Sequence, residues 1–81
     1  MFKSTQAFDS AIREKLTALC DGTDLNSLLP DDDSREAIAE SIHRGYLQGV
    51  ELMRTADGTA NFSVIKPMVT YRGLAFLESA K

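Results

Sequence analysis

An α+β domain is what this sequence predicts, on three observations. Apolar residues recur at helical spacing through residues 4–45, two alternating runs flank Asp57-Gly58, and Thr70 opens a closing helix. With 81 residues, 43% of them hydrophobic and 26% charged, the chain has the make-up of one ordinary globular domain, residues 1–81. Helix, short helix, helix, strand, strand, helix is the wiring of a winged helix-turn-helix: three N-terminal helices, a β-hairpin wing and a C-terminal helix.

The first helix starts at Ser4 or Thr5, whose hydroxyl can accept a backbone N–H. Phe8, Ala11, Ile12, Leu16 and Leu19 form its apolar stripe, and Gly22 supplies a left-handed stop. Cys20 follows Leu16 and Leu19 at helical spacing, so it reads as a buried structural thiol. As the one cysteine, it has no partner for a disulfide or a metal cluster. Asp24 caps a short second helix, Leu25 to Leu29, which Pro30 ends; a short extra strand near Asp24 is a candidate partner for the hairpin.

The third helix is delimited by Asp33 as N-cap, by Glu36 reaching back from the third position, and by Gly45 just past its end. Ile38, Ala39 and Ile42 form the buried edge, with Asp33, Glu36, Glu40, His43 and Arg44 opposite. Glu40 and Arg44 stand at the spacing of a favourable ion pair.

Tyr46 to Thr55 reads as a strand with Val50 and Leu52 on one side, Glu51 and Met53 on the other. Ala56-Asp57-Gly58-Thr59 predicts a type I′ turn. Ala60 to Ile65 returns with Phe62 and Val64 inward, and Pro67 ends it. Thr70 caps the last helix, whose apolar edge is Tyr71, Leu74 and Leu77. Phe2, Met53, Met68 and Phe76 exceed what the periodic core accounts for. Met68 and Phe76 are expected to be covered; an exposed apolar patch for a homodimer or partner is the alternative.

Two pieces of the chain carry a family resemblance. Gly45-Tyr46-Leu47 with Gly49-Val50 is one, and Pro67, Val69-Thr70, Gly73-Leu74 and Phe76-Leu77-Glu78 is the other. In these the chain resembles the YjcQ family of small bacterial, prophage-associated winged-helix proteins. The resemblance implies a non-enzymatic winged helix without a cofactor. Members of that group are described mainly by their fold.

On function, the first expectation is a small DNA-binding or transcription-regulatory protein whose third helix enters the major groove. Its contacts would be Ser34, Arg35, Glu36, Glu40, His43 and Arg44, with Arg54, Thr55, Asp57 and Thr59 from the wing. The alternative is a protein-interaction module that keeps the fold without binding DNA. Charge favours the alternative: residues 24–45 carry −4 against a net −3 for the chain, and phosphate binders usually show the opposite bias. No catalytic motif, metal-spaced cluster, cofactor site or small-molecule site is predicted, and His43 has no second ligand. No apolar run reaches membrane-spanning length and no signal sequence stands at the start, so the expected location is cytoplasmic.

Overall fold

A computed structural model describes residues 3–79. Helix α1 (Thr5–Cys20) is followed by a 3-10 turn (Leu25–Leu28) and α2 (Asp32–His43); strands β1 (Leu47–Arg54) and β2 (Ala60–Val69) form an antiparallel hairpin, and α3 (Tyr71–Ser79) closes the domain. This is an α+β layout whose order is compatible with a winged helix. Two α-helices precede the hairpin, not three: the predicted second helix closes only as a 3-10 turn, because Pro30 leaves too little chain to propagate. The candidate strand near Asp24 does not form, and the sheet has two strands. Phe2 lies outside the described residues.

Local chemistry explains the ends of the helices. Ser4 caps α1 by accepting from the Ala7 N–H at 3.1 Å. Gly22, at φ +91, lets its own N–H reach the Leu19 carbonyl while Thr23 reaches Ala18, a paired closure that satisfies two orphan carbonyls. Gly45 does the same for α2, with Tyr46 donating to Ser41 at 2.8 Å. The N-cap of α2 is Asp31, two residues ahead of the predicted Asp33. Its carboxylate accepts from the Ser34 N–H at 2.8 Å, and that bond holds its pKa below the ordinary carboxylate value. Asp32 and Asp33 then occupy the first turn, where the helix dipole favours them.

Two apolar clusters meet at α2. Leu25, Ile38, Leu47 and Val50 form one, with Ile42 and Phe62 packed against it. Ile12, Leu16 and Ala37 form the other, covered by Tyr46, Val69, Phe76 and Leu77. Ile12, Leu16, Leu25 and Ile38 are fully buried, each worth about 1.5–3 kcal/mol of transfer free energy. Arg13 lays its guanidinium 5.9 Å over the Phe76 ring, which stacks on Tyr46 at 4.7 Å. Cys20 is exposed, contrary to expectation, because it sits on the last residue of α1, beyond the partners that cover Leu16.

The hairpin departs from the predicted turn in an instructive way. Only Gly58 has positive φ, so the turn is not type I′: the Gly58 N–H bonds Thr55, and Thr55 donates to the Thr59 carbonyl around a three-residue loop. Asp57 accepts from the Thr55 hydroxyl and from the Thr59 N–H at 3.0 Å, and these bonds lower its pKa to about 2. Further along, β2 runs straight through Pro67 to Val69. The pairing jumps from Val50–Val64 to Gln48–Met68, leaving Gly49 opposite Ile65, Lys66 and Pro67. A bulge is one of the few places a ladder tolerates proline. Gly49 makes it possible: at φ +78, a Cβ on it would stand 1.8 Å from the Lys66 carbonyl oxygen.

The base of the hairpin receives α3. Thr70 donates its hydroxyl to Gly45 O at 2.5 Å and accepts from the Gly73 N–H at 3.1 Å, capping α3 as expected. Gly73 is buried against Tyr46 O, which an added Cβ would approach to 2.5 Å. That contact fixes the rotation of α3, with Phe76 and Leu77 inward and Tyr71 and Leu74 outward, so of the predicted apolar edge only Leu77 packs on the core. Met68 is exposed as well, standing beside the Gln48 amide.

Candidate functional site

The predicted nucleic-acid face is α2 with the tip of the hairpin. Helix α2 is the central element of the domain, and Ser34, Ala37, Ile38, Ala39 and Ser41 are buried. Ser34, named as a contact, is therefore inside: it stands three residues before Ala37, which packs on Ile12 and Leu16 of α1. The outward stripe is narrow, consisting of Asp32, Glu36 and His43 with half-buried Glu40 between. It carries three carboxylates and one imidazole.

The three nominated cations all have partners within the domain. Arg35 is half-buried and donates Nη1 to the Ala60 carbonyl at 3.0 Å, tying α2 to the start of β2. Arg44 donates Nε to Glu40 at 2.7 Å, as its spacing predicts, and Nη1 to Asp9 at 3.1 Å. These carboxylates, Glu40 foremost, raise its pKa. Its guanidinium also lies 5.9 Å over the Phe8 ring, so one side chain joins α2 to α1. Arg54 grips Glu36 with both terminal nitrogens, at 3.0 and 3.1 Å, a fork-to-fork geometry that lowers the Glu36 pKa and raises that of Arg54. A phosphate reaching this face would have to displace a carboxylate from each of two arginines. Thr55, Asp57 and Thr59 are exposed, but their polar atoms close the turn on one another.

His43 and Arg44 line a shallow open hollow of about 700 Å³ with Glu40, Tyr46, Arg72 and Phe76. Its walls bring together one carboxylate, one imidazole and two guanidiniums, and it lies at the C-terminal end of α2, where the dipole disfavours anions.

A second surface is more distinctive. The large apolar side chains left exposed are Met53, Val64, Ile65, Met68, Tyr71 and Leu74, all from the hairpin and α3. Ile65 is 75% exposed and Tyr71 is 91% exposed. Along β1 and β2, Met53 and Ile65 alternate with Leu52 and Val64, which share the face of Val50 and Phe62, so Met53 and Ile65 stand on the other side of the ribbon. Sequence reading named Met53 and Met68 as surplus but missed Ile65, Tyr71 and Leu74. Alternation from Phe62 and Val64 would have placed Ile65 outward. For α3 the signal was Gly73, whose missing side chain lets the helix approach Tyr46 O and so sets which side faces inward.

No helix among the described residues is long and apolar enough to cross a membrane. No protein-family model, curated protein or solved structure matches the chain.

Proposed function

We propose that this chain is a winged-helix domain, of the kind seen in YjcQ-like proteins, that binds protein and does not grip duplex DNA. The observation that carries this reading is the pairing of Arg44 and Arg54 with carboxylates of the same domain, on a helix whose outward stripe is acidic. Phosphate contacts supply a large share of the affinity of DNA binders, and each lysine or arginine that neutralises a phosphate releases counterions condensed on the duplex. The exposed apolar side chains of the hairpin and α3 support a protein partner, because patches of this kind mark interaction surfaces more often than solvated ones. The reading assigns the chain a binding role alone.

Fluorescence anisotropy with a mixed-sequence duplex at low salt tests the proposal. The expected result is no saturable binding, with no change on Arg54→Ala. Saturable binding that weakens steeply with salt and falls on Arg54→Ala overturns it. On the protein side, Ile65→Asp should abolish capture of any partner cross-linked through the hairpin while leaving the circular dichroism spectrum unchanged.

A further inference from the structure

We infer that two copies of this chain associate through the outward face of α3, packing that helix against itself in antiparallel fashion across a two-fold axis. The inference deepens the protein-interaction reading and rests on it. Tyr71, Leu74, Ala75 and Glu78 are all exposed and follow one another at intervals of three, one and three residues, so they share one side of the helix. The other side, Gly73, Phe76 and Leu77, is taken up by α1, Tyr46 and Val69. Helix α3 thus presents apolar side chains on two faces and has a partner in the domain for only one.

The outward face is complementary to itself. With the two-fold axis between Leu74 and Ala75, Tyr71 of one copy stands opposite Glu78 of the other, and symmetry repeats the contact. The phenol O–H can donate to the carboxylate, which also comes to lie beside the positive N-terminal end of the opposing helix. In the middle, the larger Leu74 meets the smaller Ala75. An isologous contact requires that the two ends of one patch match each other, and this patch meets that requirement. Among the described residues no lysine or arginine interrupts it: Arg72 turns toward Gly45, its Cδ lying 3.7 Å from where a Cβ there would be. A different partner would need no such match between Tyr71 and Glu78.

The face is small. Tyr71, Leu74, Ala75 and Glu78, with Met68 just ahead of the helix, would bury on the order of 400–500 Å² per copy, about half of what a standard stable interface takes. Association is therefore expected to be weak and concentration-dependent.

Sedimentation velocity from about 5 to about 500 μM tests this directly. The sedimentation coefficient should rise with concentration toward that of a dimer. Tyr71→Glu opposes two carboxylates and Glu78→Lys sets a cation against a helix N-terminus, so each alone should weaken association at least about tenfold. Combining Tyr71→Glu with Glu78→Lys restores opposite charges across the axis, and the double variant should associate more tightly than either single one. Both positions are exposed, and an unchanged circular dichroism spectrum confirms folding. A chain monomeric at every concentration, a dimer indifferent to both single changes, or a double variant no tighter than the singles overturns the inference. If the monomeric chain loses a captured protein on Tyr71→Glu, the broader reading survives; if it binds duplex DNA instead, both fall.

Discussion

In the helical part of the molecule, α1 to α2, the large apolar side chains point inward and arginines reach from one element to the next. In the hairpin and α3, six large apolar side chains are exposed, and the backbone does much of the holding. Ile12, Leu16, Leu25 and Ile38 are fully buried in the first region. In the second, Thr70 bridges Gly45 O and Gly73 N–H, Tyr46 O takes the Thr70 N–H at 2.8 Å, and Gly49 admits the Lys66 carbonyl. The difference teaches where each region is tolerant. Side-chain chemistry on the hairpin surface is free to serve a partner because its shape depends on a few backbone positions. Glu36 and Glu40 on the acidic surface of α2 are committed to internal ion pairs and have little left to offer an external ligand.

Gly49→Ala is the sharpest way to break that comparison. Alanine in a left-handed conformation costs about 1–2 kcal/mol, and forcing a methyl group into the space of the Lys66 carbonyl adds about 1–3 kcal/mol. A loss of about 4 kcal/mol, read as a lower midpoint in urea denaturation, is expected. Gly58→Ala supplies the control. It shares the positive φ, but a Cβ there meets nothing within 4 Å, so only the conformational cost should appear. Equal losses at the two glycines would mean that the bulge is not what holds β2 in register.

The same residue type can be compared across the two regions next. Ile38 is fully buried, and Ile38→Ala should cost about 3 kcal/mol through lost transfer free energy and the cavity left behind. Ile65→Ala, at a position 75% exposed, should change stability by no more than about 0.5 kcal/mol in either direction. Comparable losses at both sites would show that Ile65 is covered in solution by something the single chain does not supply.

The helical region was the more legible in the sequence. The stripe of Ile12 and Leu16, the stops at Gly22 and Gly45 and the Glu40–Arg44 pair follow from spacing within one turn. Local rules err where two local solutions compete. Asp31 and Asp33 are both good caps, and the tertiary pairing of Glu36 with Arg54 removes the back-reaching contact that favoured Asp33. Pro67 reads as a stop because its allowed place, a bulge, depends on a glycine eighteen positions earlier in the chain. The Arg44–Asp9 and Arg35–Ala60 contacts, spanning 35 and 25 residues, have no sequence signal at all. The candidate nucleic-acid face was correctly read as acidic, but burial of Ser34 and Arg35 could not be seen from one helix period.

The smallest expected effect concerns acid. Asp31, Glu36 and Asp57 all have folded-state pKa values below their ordinary ones, the first and last through bonds that hold the carboxylate charged, Glu36 through Arg54. A depressed carboxylate contributes stability that is fully present above its ordinary pKa and disappears as pH falls through the folded value. For Asp57 the window therefore runs from the ordinary 3.8 down to about 2. Thermal midpoints measured across that range should fall as the pH is lowered. Asp57→Asn keeps an acceptor for the Thr59 N–H but cannot titrate, so its profile should be flatter between those limits and meet that of the parent chain near the lower one. Because Asp57 lies wholly within the hairpin turn while Glu36, on α2, accepts from Arg54 of β1, Glu36→Gln probes a different link. It should flatten the profile nearer the ordinary glutamate value of 4.5. If only Asp57→Asn alters the profile, acid acts on the turn alone; if only Glu36→Gln does, the ion pair between the two regions is the part that senses protons.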